Sequence, residues 1–298
     1  MIAAEKKNSR IVQVGSQRVS SVVYQKAKAL VSEGAIGNVH LVEAVMGRND
    51  PNGAWEYPPP LDLSPQNFDW DTWLGSAPKI PFNPVHFAGW RCWQAYGSGV
   101  AGDLFVHLLT GIHFIAGINQ PPDRVLATGG LFRWKDGRDV PDVHAALFEY
   151  PQFPVYIRMT LNTETAEVTR FLGTKGFIEI NDGELTLSTQ RGIDTHPGWY
   201  YRSFPKGMRE NYEREWHAKN DPVLAQEVTE TTKFRPPDGY SESREHLRNF
   251  FNAVRTRKPV LEDAPFGNHT SIACHMANLS YFKKTIAIWD AANKSIRG

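Results

Sequence analysis

Two periods divide the chain. Between residues 22 and 33 the apolar side chains Val23, Ala27, Leu30 and Val31 recur at helical spacing and share one stripe. Ser20 or Ser21 supplies an N-cap, and Gly34 and Gly37 a stop. The same spacing predicts a helix from Asp103 to about Ala116 closed by Gly117, and two more over 241–257 and 268–285. After Pro121-Pro122 the period falls to two, and 125–128, 144–150, 155–161, 169–173, 176–180 and 184–188 read as strands. Gly173 to Gly176 and Asp182-Gly183 make their hairpin turns. Further strands are predicted over 10–15 and 39–46, and a short apolar segment over 286–290. Residues 50–90 and 192–240 follow neither period and read as long irregular stretches. Serial hairpins build an antiparallel sheet. The fold class expected is α+β, a large, predominantly antiparallel open sheet with helices packed on one face.

Composition narrows the function. A hydrophobic share of 41% and a charged share of 22% over 298 residues belong to a globular protein with a substantial core. The net charge of +1 argues against nucleic acid or an anionic membrane as partner. No apolar run approaches the ~20 residues of a membrane helix, and the first residues form no signal peptide. Cys92 and Cys274 alone suggest a reducing compartment, so the default location is cytoplasmic. Nine Trp and ten Tyr suit sugar stacking as well as core packing.

The candidate chemistry centres on Gly97-Ser98-Gly99-Val100-Ala101-Gly102, which has the G-x-G-x-x-G spacing of a dinucleotide loop. That fingerprint needs a buried strand before it, and Trp90-Arg91-Cys92-Trp93-Gln94-Ala95-Tyr96 is no such strand. Immediately after the turn stand Asp103 and His107, four apart and on one helix face. A carboxylate beside an imidazole is an acid–base pair, because imidazole titrates near neutral pH and a carboxylate orients it. An ordinary helix-surface pair is the plain alternative. No metal site is assigned: His86, His113 and His144 lack the spacing of a third ligand. Trp90, Arg91, Trp93 and Tyr96 enter the glycine turn as candidate walls of a sugar pocket, with His86 a further candidate. Arg18 is a candidate for holding a carboxylate, phosphate or hydroxyl. His196, His217, His246, His269 and His275 have no partner spacing and read as structural.

In order along the chain, Val14-Gly15-Ser16-Gln17-Arg18, Gly34-Ala35-Ile36-Gly37-Asn38-Val39, Gly97 through His107, Phe171-Leu172-Gly173-Thr174-Lys175-Gly176, and Met276-Ala277-Asn278-Leu279-Ser280 with Trp289-Asp290 resemble the glucose-fructose oxidoreductase / inositol dehydrogenase family, Gfo/Idh/MocA. The resemblance is to the substrate-binding and oligomerisation half of those NAD(P)-dependent enzymes. It implies that residues 1–16 are a remnant of the Rossmann domain (its last helix and strand) and that 17–298 form the substrate domain. It implies catalytic roles for Asp103 and His107 about a substrate hydroxyl, and a place for Gln17 beside the nicotinamide if a Rossmann domain is supplied. It also implies a homo-oligomer, dimer or tetramer, through the open sheet face.

The function expected is a sugar- or polyol-type oxidoreductase without its own complete NAD(P)-binding domain. NAD(P) serves the complete family enzyme, and this chain alone is expected to bind none. Two alternatives stay open. One is a cofactor-independent lyase, epimerase or hydrolase using Asp103 and His107. The other is a non-catalytic sugar-binding or oligomerisation module, paired with a separate Rossmann subunit.

Overall fold

Alternation of side chains across a pleated strand lets each hairpin bury one face, and here those faces join into one sheet. The computed structural model describes residues 1–227 and 229–298. Its helices are α1 (Ile2–Asn8), α2 (Val22–Ser32), α3 (Trp70–Leu74), α4 (Pro84–Ala88), α5 (Val106–Ala116), α6 (Lys206–Leu224), α7 (Glu242–Thr256) and α8 (Ala264–Lys283). The strands are β1 (Val39–Gly47), β2 (Arg124–Gly130), β3 (Val143–Glu149), β4 (Pro154–Thr160), β5 (Thr165–Gly173), β6 (Gly176–Asn181), β7 (Glu184–Thr189), β8 (Thr231–Phe234), β9 (Ala287–Asp290) and β10 (Ser295–Arg297). All ten lie in one sheet, in the order β10-β9-β2-β3-β4-β1-β5-β6-β7-β8. Every neighbouring pair is antiparallel except β1 with β4.

One face of the sheet is the core. Val42, Ala44, Phe148, Val155, Ile157, Met159, Phe171 and Ile178 are buried there, together with Leu108, Leu109 and Ile112 of α5 and Ala273, Met276 and Ala277 of α8. Burying each large apolar side chain contributes about 1.5–3 kcal/mol, so this layer sets the stability of the α5 scaffold. α2 packs on α5 through Val23, Tyr24 and Ala27, and Ser21 caps it by accepting from the N–H of Val23. Gly111 of α5 lies against the Tyr24 ring, and a Cβ there would stand 2.3 Å from that ring.

The opposite face is open and has two halves. Leu126, Leu147, Tyr156, Glu43, Arg170 and Glu179 are successive cross-strand neighbours in one row. The first three are 54%, 38% and 36% exposed, while Arg170 bridges the carboxylates of Glu43 and Glu179. One half is therefore apolar and the other charged.

Three expectations need correction. Residues 10–15 form no strand, because no strand lies beside them to accept their hydrogen bonds; the Val14 N–H donates instead to the Glu262 carbonyl. Residues 192–240 are not irregular: they contain α6 and β8. The charged, aromatic surface of α6 buries no residue, so it carries no apolar stripe by which the sequence could announce it. The last long helix begins at Ala264, ahead of the expected Asn268, because Asp263 caps it by accepting the Phe266 N–H and Pro265 suits its first turn. The 50–90 stretch is a long connection holding only the short helices α3 and α4.

Candidate active site

Gly97 through Gly102 is not a phosphate cradle. A short 3-10 turn, Trp90–Cys92, and further turns lead into it instead of a strand. Its glycines serve chain packing: a Cβ on Gly97 would meet the Trp90 and Arg91 backbone near 3.1 Å, and one on Gly99, at φ 55°, would meet Val140 at 2.7 Å. The next helix opens with a π turn, Ala101–Phe105, and passes into α5. Such turns interrupt regular α geometry and recur at functional sites. The carbonyl of Ser98 is tied to α8 by the Asn278 Nδ2–H at 2.8 Å.

Asp103 stands in the π turn and His107 in the first turn of α5, both half-buried. They take different partners. Asp103 accepts from Arg91 Nε at 2.7 Å, and the Arg91 guanidinium lies 4.3 Å over the Trp90 ring. His107 Nδ1 lies 2.9 Å from the carbonyl oxygen of Ser16. A carbonyl only accepts, so Nδ1 carries the proton and Nε2 of the neutral ring is the lone-pair nitrogen. Among the described residues Nε2 has no hydrogen-bond partner, and it is not among the buried unpartnered atoms.

Beneath His107 lies a buried polar group that sequence reasoning missed. Glu262 is 1% exposed; its Oε1 accepts the Ser16 N–H at 3.1 Å and is bonded to the Ser16 hydroxyl. The Ser16 hydroxyl is also 2.7 Å from Thr110 Oγ1, which donates to the Val106 carbonyl at 2.6 Å. Burial pushes the Glu262 carboxyl up to about 7 against the Ser16 hydrogen bonds, with the Glu242 charge adding to the rise. Glu262 precedes the α8 cap in sequence and reads there as one more acid at a helix start. Its proximity to Ser16 is not local information.

Gln17 and Arg18 are consecutive non-glycine residues with positive φ, 68° and 72°. Backbone of that kind persists only where its surroundings hold it. Here the Arg18 N–H donates to Glu242 Oε1 at 2.7 Å and the guanidinium pairs with Glu167. Gln17 lines a cavity of about 320 Å³ with Gly15, Ser20, Glu242, Ser243, His246 and Leu247. His246, read from sequence as structural, thus faces a cavity while its Nδ1 meets Ser20 Oγ at 2.9 Å.

The aromatic candidates form a separate wall. His86 stacks on Trp93 with ring centroids 3.9 Å apart, and its Nδ1 meets the Tyr96 hydroxyl at 3.1 Å. Desolvation holds the His86 ring below its ordinary value. Trp90 and Tyr96 line a cavity of about 400 Å³ together with Trp73, Leu74 and Ser76. Trp93 is not part of that lining. The structure therefore joins Arg91 to Asp103, His86 to Trp93 and Tyr96, and His107 to Ser16, the residue before Gln17 and Arg18. No group of three metal-ligating side chains occurs among the described residues.

Residues 67–179, which carry Asp103, His107, Arg91 and the aromatic wall, match the family model of the GFO/IDH/MocA C-terminal domain. By this match the segment is similar to a GFO/IDH/MocA C-terminal domain. Solved structures share its architecture well beyond the matched residues. An aldose-aldose oxidoreductase from Caulobacter crescentus, solved with glycerol, superposes with a TM-score of 0.61 at 15% identity, over 96% of this chain and 66% of its own. A protein assigned as an NADPH-dependent oxidoreductase from Desulfitobacterium hafniense gives 0.62 at 14% identity, over 95% of this chain and 66% of its own. UDP-N-acetylglucosamine 3-dehydrogenase from Acidithiobacillus ferrooxidans gives 0.56 at 14% identity, over 94% and 65%. This chain thus spans slightly less than two thirds of those proteins, and at such identities the likeness is one of fold. No curated protein sequence matches this chain. Ser16 and Glu262 lie outside the GFO/IDH/MocA C-terminal domain match, yet Ser16 meets its His107 and Glu262 holds Ser16. No helix among the described residues is long and apolar enough to cross a membrane.

Proposed function

We propose that this chain is the substrate half of a sugar- or polyol-type oxidoreductase, with His107 as the base. The observation that carries this is the His107–Ser16 contact. With Nδ1 committed to a carbonyl, Nε2 is left as a proton acceptor at the half-buried start of α5. In alcohol oxidation a substrate hydroxyl gives its proton to Nε2. Asp103, paired with Arg91, accepts a hydrogen bond from that or a neighbouring hydroxyl. In this reading Trp90 and Tyr96, which line the cavity of about 400 Å³, offer ring faces to the substrate carbons.

The described residues do not fit a dinucleotide. A pyrophosphate site needs a strand that feeds a helix N-terminus through a glycine turn. The glycine turn here has no such strand, and β1–β4 is the single parallel pair among the described residues. The NADPH dependence assigned to the Desulfitobacterium protein therefore comes to this chain as a requirement met by another domain or subunit, with Gln17 at its border. The apolar half of the open sheet face, Leu126, Leu147 and Tyr156, is the surface for a second copy of the chain.

The test is nicotinamide reduction with a panel of aldoses and polyols, using the protein as its source cell assembles it. His107→Ala should lower turnover by about 10²–10⁴. Unchanged turnover in that variant refutes the assignment. A cofactor-independent acid–base reaction has one observation in its favour, the glycine turn that cradles no phosphate. Product formed without nicotinamide, and lost in His107→Ala, would put that reaction in its place.

A further inference from the structure

Counting protons along the hydrogen bonds behind His107 gives a result that the carboxylate form of Glu262 cannot satisfy. Three contacts run in series: Glu262 to the Ser16 hydroxyl, Ser16 to the Thr110 hydroxyl, and Thr110 to the Val106 carbonyl. Each needs one proton, and the two hydroxyls supply one each. Thr110 must spend its proton on Val106, since a carbonyl only accepts. If Ser16 spends its own on an ionised Glu262, two hydroxyl oxygens 2.7 Å apart are left with no proton between them. All three sites are buried, and Glu262 Oε2 is buried without a partner, so no solvent-facing group is at hand to make up the deficit.

We propose that Glu262 stands protonated at the head of the chain Glu262→Ser16→Thr110→Val106 carbonyl, and that it positions His107 through the carbonyl of Ser16. The carboxyl O–H donates to Ser16 Oγ, the Ser16 hydroxyl donates to Thr110 Oγ1, and Thr110 donates to Val106. Ser16 is then held at its N–H and its hydroxyl, so its carbonyl meets His107 Nδ1 in one orientation. Glu262 does not touch a substrate; it is a positioning residue. The same burial that pushes its carboxyl up to about 7 agrees with this protonation. The ionisable groups around it have known positions. Glu242 on the first turn of α7 holds the Arg18 N–H, Asp263 on α8 is occupied as a cap, and His107 lies beyond Ser16. Ionisation of Glu262 removes one of three protons and breaks one link, loosening the hold on His107 as the pH rises through that range.

The role rests on His107 as the base, but its test requires no substrate. Infrared difference spectra between wild type and Glu262→Gln should show the carbonyl stretch of a protonated carboxyl, lost as the pH rises through neutrality. Thr110→Val releases the Ser16 proton for a carboxylate, so the band should vanish at a lower pH in that variant. Nitrogen-15 spectra of His107 should show the Nδ1–H tautomer in wild type and in Glu262→Gln, whose amide can donate in place of the acid. A mixture of tautomers is expected in Glu262→Leu. An ionised Glu262 in wild type, or an unmoved midpoint in Thr110→Val, overturns the protonated chain even if Glu262→Leu fails to fold. Identical His107 spectra in wild type, Glu262→Gln and a folded Glu262→Leu reduce Glu262 to packing. Full turnover in His107→Ala, by contrast, refutes only the catalytic reading and leaves these spectra to decide on Glu262.

Discussion

His107 Nδ1 sits 2.9 Å from the carbonyl oxygen of Ser16, and this one contact fixes which imidazole nitrogen is free to accept a proton. An asparagine side chain can place an N–H near the Nδ1 position but has no second nitrogen to serve as a base. His107→Asn should therefore fold with near wild-type stability and lose about 10²–10⁴ in turnover. Steady-state assays on the folded variant check this, and retained turnover counts against the base assignment.

Arg91 ties the aromatic wall to the π turn. Its guanidinium pairs with Asp103 and stacks on Trp90, with the two paired side chains 31% and 24% exposed. Arg91→Leu strands a half-buried carboxylate, and partial exposure limits the cost to about 1–2 kcal/mol, between surface and buried pairs. Arg91→Lys should recover only part of it, lacking the planar group that stacks. Thermal unfolding of both variants tests the ranking, and equal losses would discount the stacking.

The pH dependence of stability has two opposing parts. Burial lowers His113 to about 3 and His144 to about 4, both below the ordinary histidine value. The unfolded chain then binds protons that the folded one does not, so these residues make stability rise with pH up to about 6.5. Glu262, raised to about 7, works the other way: its contribution is full below about 4.3 and is lost as pH rises through 7. Replacing it by glutamine should steepen the rise of stability with pH by about 1.4 kcal/mol per unit between those limits. His113→Gln should flatten the rise by a similar amount over its own range. Denaturant titrations at stepped pH check both, and parallel curves for wild type and Glu262→Gln would contradict a carboxyl held neutral.

The apolar half of the open face makes a prediction about assembly. Leu126, Leu147 and Tyr156 are adjacent across β2, β3 and β4. On the proposed self-association through this face, Leu147→Arg, which places a charge at their centre, should shift the protein toward monomer, read by light scattering after size exclusion. An unchanged mass would place any interface elsewhere on the molecule.

Local pattern determined the strands from β2 to β7, α2, α5 and the turns at Gly173–Gly176 and Asp182-Gly183. Period and turn chemistry are properties of neighbouring residues, so they survive without knowledge of the fold. The same local signal marked Asp103, His107 and the aromatic run, and the absence of a strand before Gly97. It failed where context was needed. Residues 10–15 looked like a strand but lack a neighbour, and α6 is a helix without a buried stripe. Tertiary structure alone decided the parallel β1–β4 pairing, the partners of Asp103 and His107, and the meeting of Ser16 with Glu262 across 246 positions. Their shared physical reason is that a hydrogen bond between distant residues leaves no trace in the local alternation of polar and apolar side chains. It exists only once the sheet has brought α5, α8 and the Ser16 segment into one buried layer.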